Sequence, residues 1–147
     1  MGNGLKNKHT ILLVDDEVSI TKSLQRLLRK EGYLVLTARS GQDGLDILHN
    51  SKEAISLIIS DQRMPGMTGI QFLGKTIKIM PNAIRFLLTG YTDIEMIFKA
   101  IDRGEIHQYI TKPWNDNELL REIHQSLQQY EFFRKTMPQR LIKRETK

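Results

Sequence analysis

Five short apolar runs, Ile11 to Val14, Tyr33 to Ala38, Ile55 to Ser60, Ile84 to Thr89 and Tyr109 to Thr111, alternate with segments of helical periodicity. That rhythm constrains the fold more than any other feature of the chain. Ile11-Leu12-Leu13-Val14 and Leu57-Ile58-Ile59 are apolar at every position, the pattern of central parallel strands covered by helices on both faces. Val18 to Lys30 sets Ile20, Leu24, Leu27 and Leu28 at helical spacing, and Gly32 stops that helix. Four more helix starts carry a capping residue three before Glu, Gln or Asp: Ser40 with Asp43, Thr68 with Gln71, Thr92 with Glu95, and Asn115 with Glu118. Pro81 is expected to close the third helix and Gly104 the fourth. The implied class is α/β, a doubly wound parallel sheet whose site lies in the loops at the carboxyl ends of its strands.

Those loops hold an unusual set of residues. Asp15, Asp16 and Glu17 follow the first run, Asp61 the third, Thr89-Gly90 the fourth, and Thr111-Lys112-Pro113 the fifth. Two unit charges about 4 Å apart repel by about 4 kcal/mol at an effective dielectric near 20, so the gathered carboxylates need a cation. Mg²⁺ suits carboxylates, waters and phosphate oxygens, and Lys112 supplies a second positive group. A metal, a Lys and a Thr hydroxyl around one Asp can stabilise a transferring phosphoryl group, with Asp61 as the nucleophile and Asp15 and Asp16 as metal holders. Asp15 and Asp16 also fit the simpler role of acids at a helix start.

From about Thr10 to about Tyr130 the chain resembles the receiver domain of two-component response regulators, the CheY-like family. The resemblance rests on Ile11-Leu12-Leu13-Val14-Asp15-Asp16-Glu17, Asp61-Gln62-Arg63-Met64-Pro65-Gly66-Met67-Thr68-Gly69, Leu88-Thr89-Gly90 and Tyr109-Ile110-Thr111-Lys112-Pro113-Trp114, taken in order and spacing. It implies a five-stranded sheet in the order 2-1-3-4-5 and transfer of phosphate from a sensor histidine kinase, or a phosphotransfer protein, onto Asp61. It implies Mg²⁺ at Asp15, Asp16, Asp61 and the backbone carbonyl of Arg63, phosphate contacts from Lys112 and Thr89, and a cis bond before Pro113. Thr89 and Tyr109 would form the switch that biases the face made by the fourth helix, fifth strand and fifth helix. Arg63 and Tyr91 occupy positions that vary in the family and bear on the phosphate's lifetime. The Asp-Gln-Arg-Met-Pro-Gly and Tyr-Ile-Thr-Lys-Pro-Trp versions look similar to receivers attached to HD-GYP or other signalling outputs.

Two other functions compete with this one. A haloacid dehalogenase-type phosphotransferase or phosphatase wants Asp-x-Asp after one strand, whereas here the first two acids are adjacent. A flavodoxin-like nucleotide or FMN binder wants a loop rich in Ser, Thr and Gly, which Asp15-Asp16-Glu17 is not.

The charge balance excludes more than it suggests. The 147 residues carry 22 Lys plus Arg against 17 Asp plus Glu, a net charge of +5. Arg134, Lys135, Arg140, Lys143, Arg144 and Lys147, against Glu145 alone, account for all of that excess. The expected organisation is a disordered segment over 1–9, a receiver domain over 10–130, and a helix extension with a basic linker over 131–147. The last helix starts near Asp116, with Leu120, Ile123, Leu127 and Tyr130 as its inward stripe and Pro138 as its stop. Its run past the sheet suggests a lead into an output domain or a homodimer contact. After Phe133 there is no room for a helix-turn-helix, so direct nucleic-acid binding is not expected. There is no Cys and no apolar stretch of membrane-spanning length, which points to a cytoplasmic protein without thiol chemistry. The four His are read as surface groups, Met64, Met67 and Met96 as packing residues, and Trp114 as either a packing anchor or a partner contact.

Overall fold

The computed structural model describes residues 9–90 and 93–136. Expectations for residues 1–8, Tyr91, Thr92, Met137, Pro138 and the rest of the basic tail fall outside the described residues.

The elements run β1 (Thr10–Val14), α1 (Val18–Lys30), β2 (Leu34–Ala38), α2 (Gly41–Asn50), β3 (Leu57–Asp61), α3 (Gly69–Thr76), β4 (Ile84–Thr89), α4 (Ile94–Asp102), β5 (Gln108–Thr111) and α5 (Asp116–Thr136). All five strands are parallel, in the order β2-β1-β3-β4-β5. β1 and β3 are buried along their whole length, as expected of continuous apolar runs between two helical layers.

Alternation along each strand splits the core in two. Leu12, Val14, Ile58 and Leu87 face α2, α3 and α4 through Leu45, Leu48, Phe72, Leu73, Ile97 and Ala100. Ile11, Leu13, Ile59 and Phe86 face α1 and α5 through Leu24, Leu28, Leu119, Ile123 and Leu127. Gly44 is needed on α2 because a Cβ there would lie 2.8 Å from the Phe72 ring. On α5 the inward stripe is Leu119, Ile123, Leu127 and Tyr130; Leu120 is only half-buried, because a stripe that starts at spacing 4 tracks the 3.6-residue turn.

The helix ends follow local chemistry. Gly32, at φ +95°, takes α1 into a left-handed turn in which the Gly32 and Tyr33 amides donate to the Arg29 and Leu28 carbonyls. Ser40 caps α2, Thr68 and Gln71 form a reciprocal capping box on α3, and Asn115 Oδ1 accepts the Glu118 amide. α4 is capped by Asp93, whose carboxylate accepts the Met96 amide at 3.3 Å. α3 stops at Thr76, before Pro81: Thr76 Oγ1 donates to Leu73 O, and residues 77–79 continue as a turn.

Two polar groups lie deeper than the sequence suggests. His9 is buried, not at the surface: Nδ1 lies 2.9 Å from Ser56 Oγ, and the ring meets Tyr130 edge-on, tying the start of β1 to α5. Arg85, the second residue of β4, is buried and donates to the carbonyls of Ala83, Gly104 and Glu105. Burial lowers its pKa from the ordinary arginine value, and the Gly104 and Glu105 carbonyls bind the charge to the α4–β5 connection.

Candidate functional site

Strand register assembles the site. Val14 is beside Ser60 across β1–β3, which puts Asp15 next to Asp61. Asp61 is beside Leu88 across β3–β4, and Thr89 is beside Thr111 across β4–β5, one residue before Lys112. Lys112 starts two strands from Asp61, a span of about 10 Å at the spacing of neighbouring strands, and its long side chain crosses that gap. Nζ lies 2.8 Å from Asp61 Oδ1 and 3.5 Å from Asp15 Oδ2. The peptide between Lys112 and Pro113 is cis.

Asp15, Asp16 and Asp61 each offer a carboxylate oxygen, and the three oxygens lie within 4.8 Å of one another. Asp15 and Asp61 are buried, whereas Asp16 is exposed. Asp15 Oδ1 accepts the Glu17 amide at 2.9 Å; Oδ2 is buried without a hydrogen-bond partner, with the Lys112 ammonium as its cationic neighbour. Burial drives the Asp15 carboxyl up from about 3.8 to about 6; the Glu17 amide opposes this, Asp61's charge adds to it, and Lys112 offsets part. Burial alone would lower Lys112, but its hydrogen bond to Asp61 and the charges of Asp15, Asp61 and Glu17 outweigh that and leave it raised.

A buried carboxylate with a partnerless oxygen, held against two more, is a donor set that suits a hard divalent cation. The residues therefore fit Mg²⁺.

Thr89 is buried at the end of β4, in a cleft it shares with Gln62, Arg63, Asp93 and Met96. The Arg63 side chain is exposed. Tyr109 is half-buried against the core on the α4 side, at a cleft with Ile101 and Trp114. Trp114 packs partly on the α5 side of the core, and its indole N–H donates to Asp116. Met64 is buried, but Met96 is exposed, because α4 turns it away from Ile97 and Ala100.

Sequence reasoning missed two residues that frame the loop after β3. A Cβ on Gly69 would collide with the Asp61 carbonyl oxygen, so the first turn of α3 rests on the Asp61 backbone. Gln62 Oε1 accepts the Ile70 amide at 2.9 Å. Both stand in the quoted motif, but neither role has a local signature, because each depends on α3 folding back.

Fold and strand-end acids together define a doubly wound α/β module built to take a phosphoryl group on a carboxylate. The model of the response regulator receiver domain matches residues 11–124, and the chain belongs to that family. It is 37% identical over 119 residues, 81% of this chain, to the hydrogenase transcriptional regulatory protein HoxA of Cupriavidus necator, and spans 24% of that protein's length. It is 34% identical over 110 residues to sporulation initiation phosphotransferase F of Bacillus subtilis, covering 74% of this chain and 86% of that one. The solved signal receiver domain of an HD domain-containing protein from Pseudomonas fluorescens superposes with a TM-score of 0.80 at 36% identity, covering 89% of this chain and 95% of the other. The chain thus spans about a quarter of a curated relative such as HoxA.

It is a receiver domain of the two-component kind, a signalling switch. The acid cluster fits a phosphoacceptor site, and the dehalogenase-type and flavodoxin-like readings are not favoured. No helix among the described residues is long and apolar enough to cross a membrane.

Proposed function

We propose that Asp61 takes the phosphoryl group of a phosphohistidine on a sensor histidine kinase or phosphotransfer protein. The observation that carries this is the 2.8 Å contact of Lys112 Nζ with Asp61 Oδ1 inside the three-carboxylate cluster. Asp61 Oδ2 attacks phosphorus, the P–N bond breaks, and the electron pair leaves with the imidazole. Asp15, Asp16, Asp61 and the Arg63 carbonyl would hold Mg²⁺, which when bound neutralises charge on the phosphoryl oxygens. Lys112 follows the incoming oxygens from its place on Asp61, and Thr89 donates its hydroxyl to one of them.

The new charge draws Thr89 inward and Tyr109 after it, which biases the surface of α4, β5 and α5. Ile94, Phe98 and Ile101 supply exposed apolar groups on α4, spaced to share one helix face. That surface, or the outer end of α5, would meet an output domain or a second copy in a cytoplasmic protein. The likeness to a receiver from an HD domain-containing protein supports an HD-GYP or similar output. The receiver itself takes residues 10–130, with 1–9 and 131–147 as flanking segments. Incubation with Mg²⁺ and acetyl phosphate tests the core of the reading by intact mass. The protein is expected to gain one phosphate and Asp61→Asn none; no gain by folded wild-type protein overturns it.

A further inference from the structure

Gln62 directly follows the acceptor and makes three bonds that knit two strands and a helix together. Its amide donates to Leu88 O at 3.0 Å, its carbonyl accepts from the Gly69 amide at 3.0 Å, and its side-chain Oε1 accepts from the Ile70 amide at 2.9 Å. The first amides of an α-helix have no acceptor within the helix. In α3 those of Gly69, Ile70 and Gln71 are taken by Gln62 O, Gln62 Oε1 and Thr68 Oγ1. Two of the three acceptors therefore belong to the residue beside Asp61. With the Gly69 Cα pressed on the Asp61 carbonyl, residues 63–68 close into a ring that contains Arg63.

We propose that Gln62 is a positioning residue for phosphoryl transfer. By docking the start of α3 onto the acceptor's own peptide, it holds the Asp61 carboxylate and the Arg63 carbonyl level with Asp15 and Asp16. The proposal rests on the reading of Asp61 as phosphoacceptor. Packing alone would be served by an apolar side chain at this half-buried position; the amide oxygen is what the Ile70 N–H requires. A Glu would offer the same acceptor to the same helix start.

The test compares Gln62→Met and Gln62→Asn, the second a methylene too short to reach Ile70, with Gln62→Glu as rescue. Thr68→Ala is the control, since it uncaps the same helix turn without touching the acceptor's backbone. Mg²⁺ affinity is read by calorimetry without phosphate, the phosphorylation rate by intact mass with acetyl phosphate, and folding by thermal melting. Met and Asn are expected to weaken Mg²⁺ binding and slow phosphorylation by about tenfold each, the worth of one well-placed hydrogen bond, with Glu within about threefold of wild type. Thr68→Ala should lower the melting midpoint and leave Mg²⁺ affinity unchanged. Wild-type affinity and rate in both Met and Asn variants overturn the proposal, as does equal Mg²⁺ weakening by Thr68→Ala. Failure of the phosphoacceptor reading shows differently, as phosphate gained by Asp61→Asn or not gained by wild type, and the Mg²⁺ comparison tests Gln62 apart from it.

Discussion

Replacing Asp15 with Asn is expected to make the metal-free protein more stable at neutral pH. The carboxyl is buried beside Asp61, and folding raises it from about 3.8 to about 6. Because the folded chain holds this proton more tightly than the unfolded chain, the group destabilises the fold wherever the unfolded chain is already ionised. The penalty is absent below the unfolded value, grows from about pH 4 to 6, and is complete above the folded value. At about 1.4 kcal/mol per pH unit it reaches about 3 kcal/mol at pH 7, with Lys112's attraction already counted against it. Asn keeps the acceptor for the Glu17 amide and loses only the charge, so a gain of about 1–3 kcal/mol is expected. Urea unfolding with EDTA at pH 7 and pH 4 measures it. A variant no more stable than wild type at pH 7, or an advantage undiminished at pH 4, refutes the reasoning. In excess Mg²⁺ the variant's advantage should shrink or vanish, since a ligand at about 100 times its dissociation constant adds about 2.7 kcal/mol to the form that binds it.

Gly69→Ala forces a Cβ onto the Asp61 carbonyl and is expected to cost at least about 2 kcal/mol in urea unfolding and to slow phosphate gain measured by mass. Arg85→Met strips the Ala83, Gly104 and Glu105 carbonyls of their donor; a loss of about 3 kcal/mol with unchanged Mg²⁺ affinity is expected, and weakened Mg²⁺ binding would show that the anchor reaches the site. His107 Nδ1 accepts the Arg85 amide, and desolvation of that inner edge with the Arg85 charge lowers its pKa below 6.5, even though the rest of the ring is exposed. The neutral form is the one the fold prefers, so its stabilisation is complete above pH 6.5 and is lost as pH falls through the folded value. An NMR titration of His107 should give a pKa below 6.5, and one at or above that value contradicts the assignment.

The chain's order of elements was legible because burial leaves a local record. Strands covered on both faces must be apolar at every position, as in Leu57-Ile58-Ile59, and the starts of α2, α3, α4 and α5 each recruit a capping side chain within three residues. Asp15, Asp16, Asp61, Thr89 and Lys112 were legible for a related reason: in a parallel sheet all strands end on one edge, so residues that follow strands are neighbours whatever their separation in sequence. Contacts made when separate elements dock leave no such record. Whether Arg85 in β4 is buried depends on the turn of α4 into β5, whose carbonyls come from residues some 20 positions later. His9 is buried because the far end of α5 lies over it.

Taken alone, the sequence determined the class of fold, the edge of the sheet that bears the candidate site and the five side chains that follow the strands there, because periodicity and strand-end position are properties of the chain itself. Only the tertiary structure decided how far Asp15 is stripped of water, that Lys112 reaches across β4 to Asp61, and that Gln62 and Gly69 bind α3 to the Asp61 backbone. Desolvation and close approach are set by which surfaces meet, and surfaces meet only once the chain has folded.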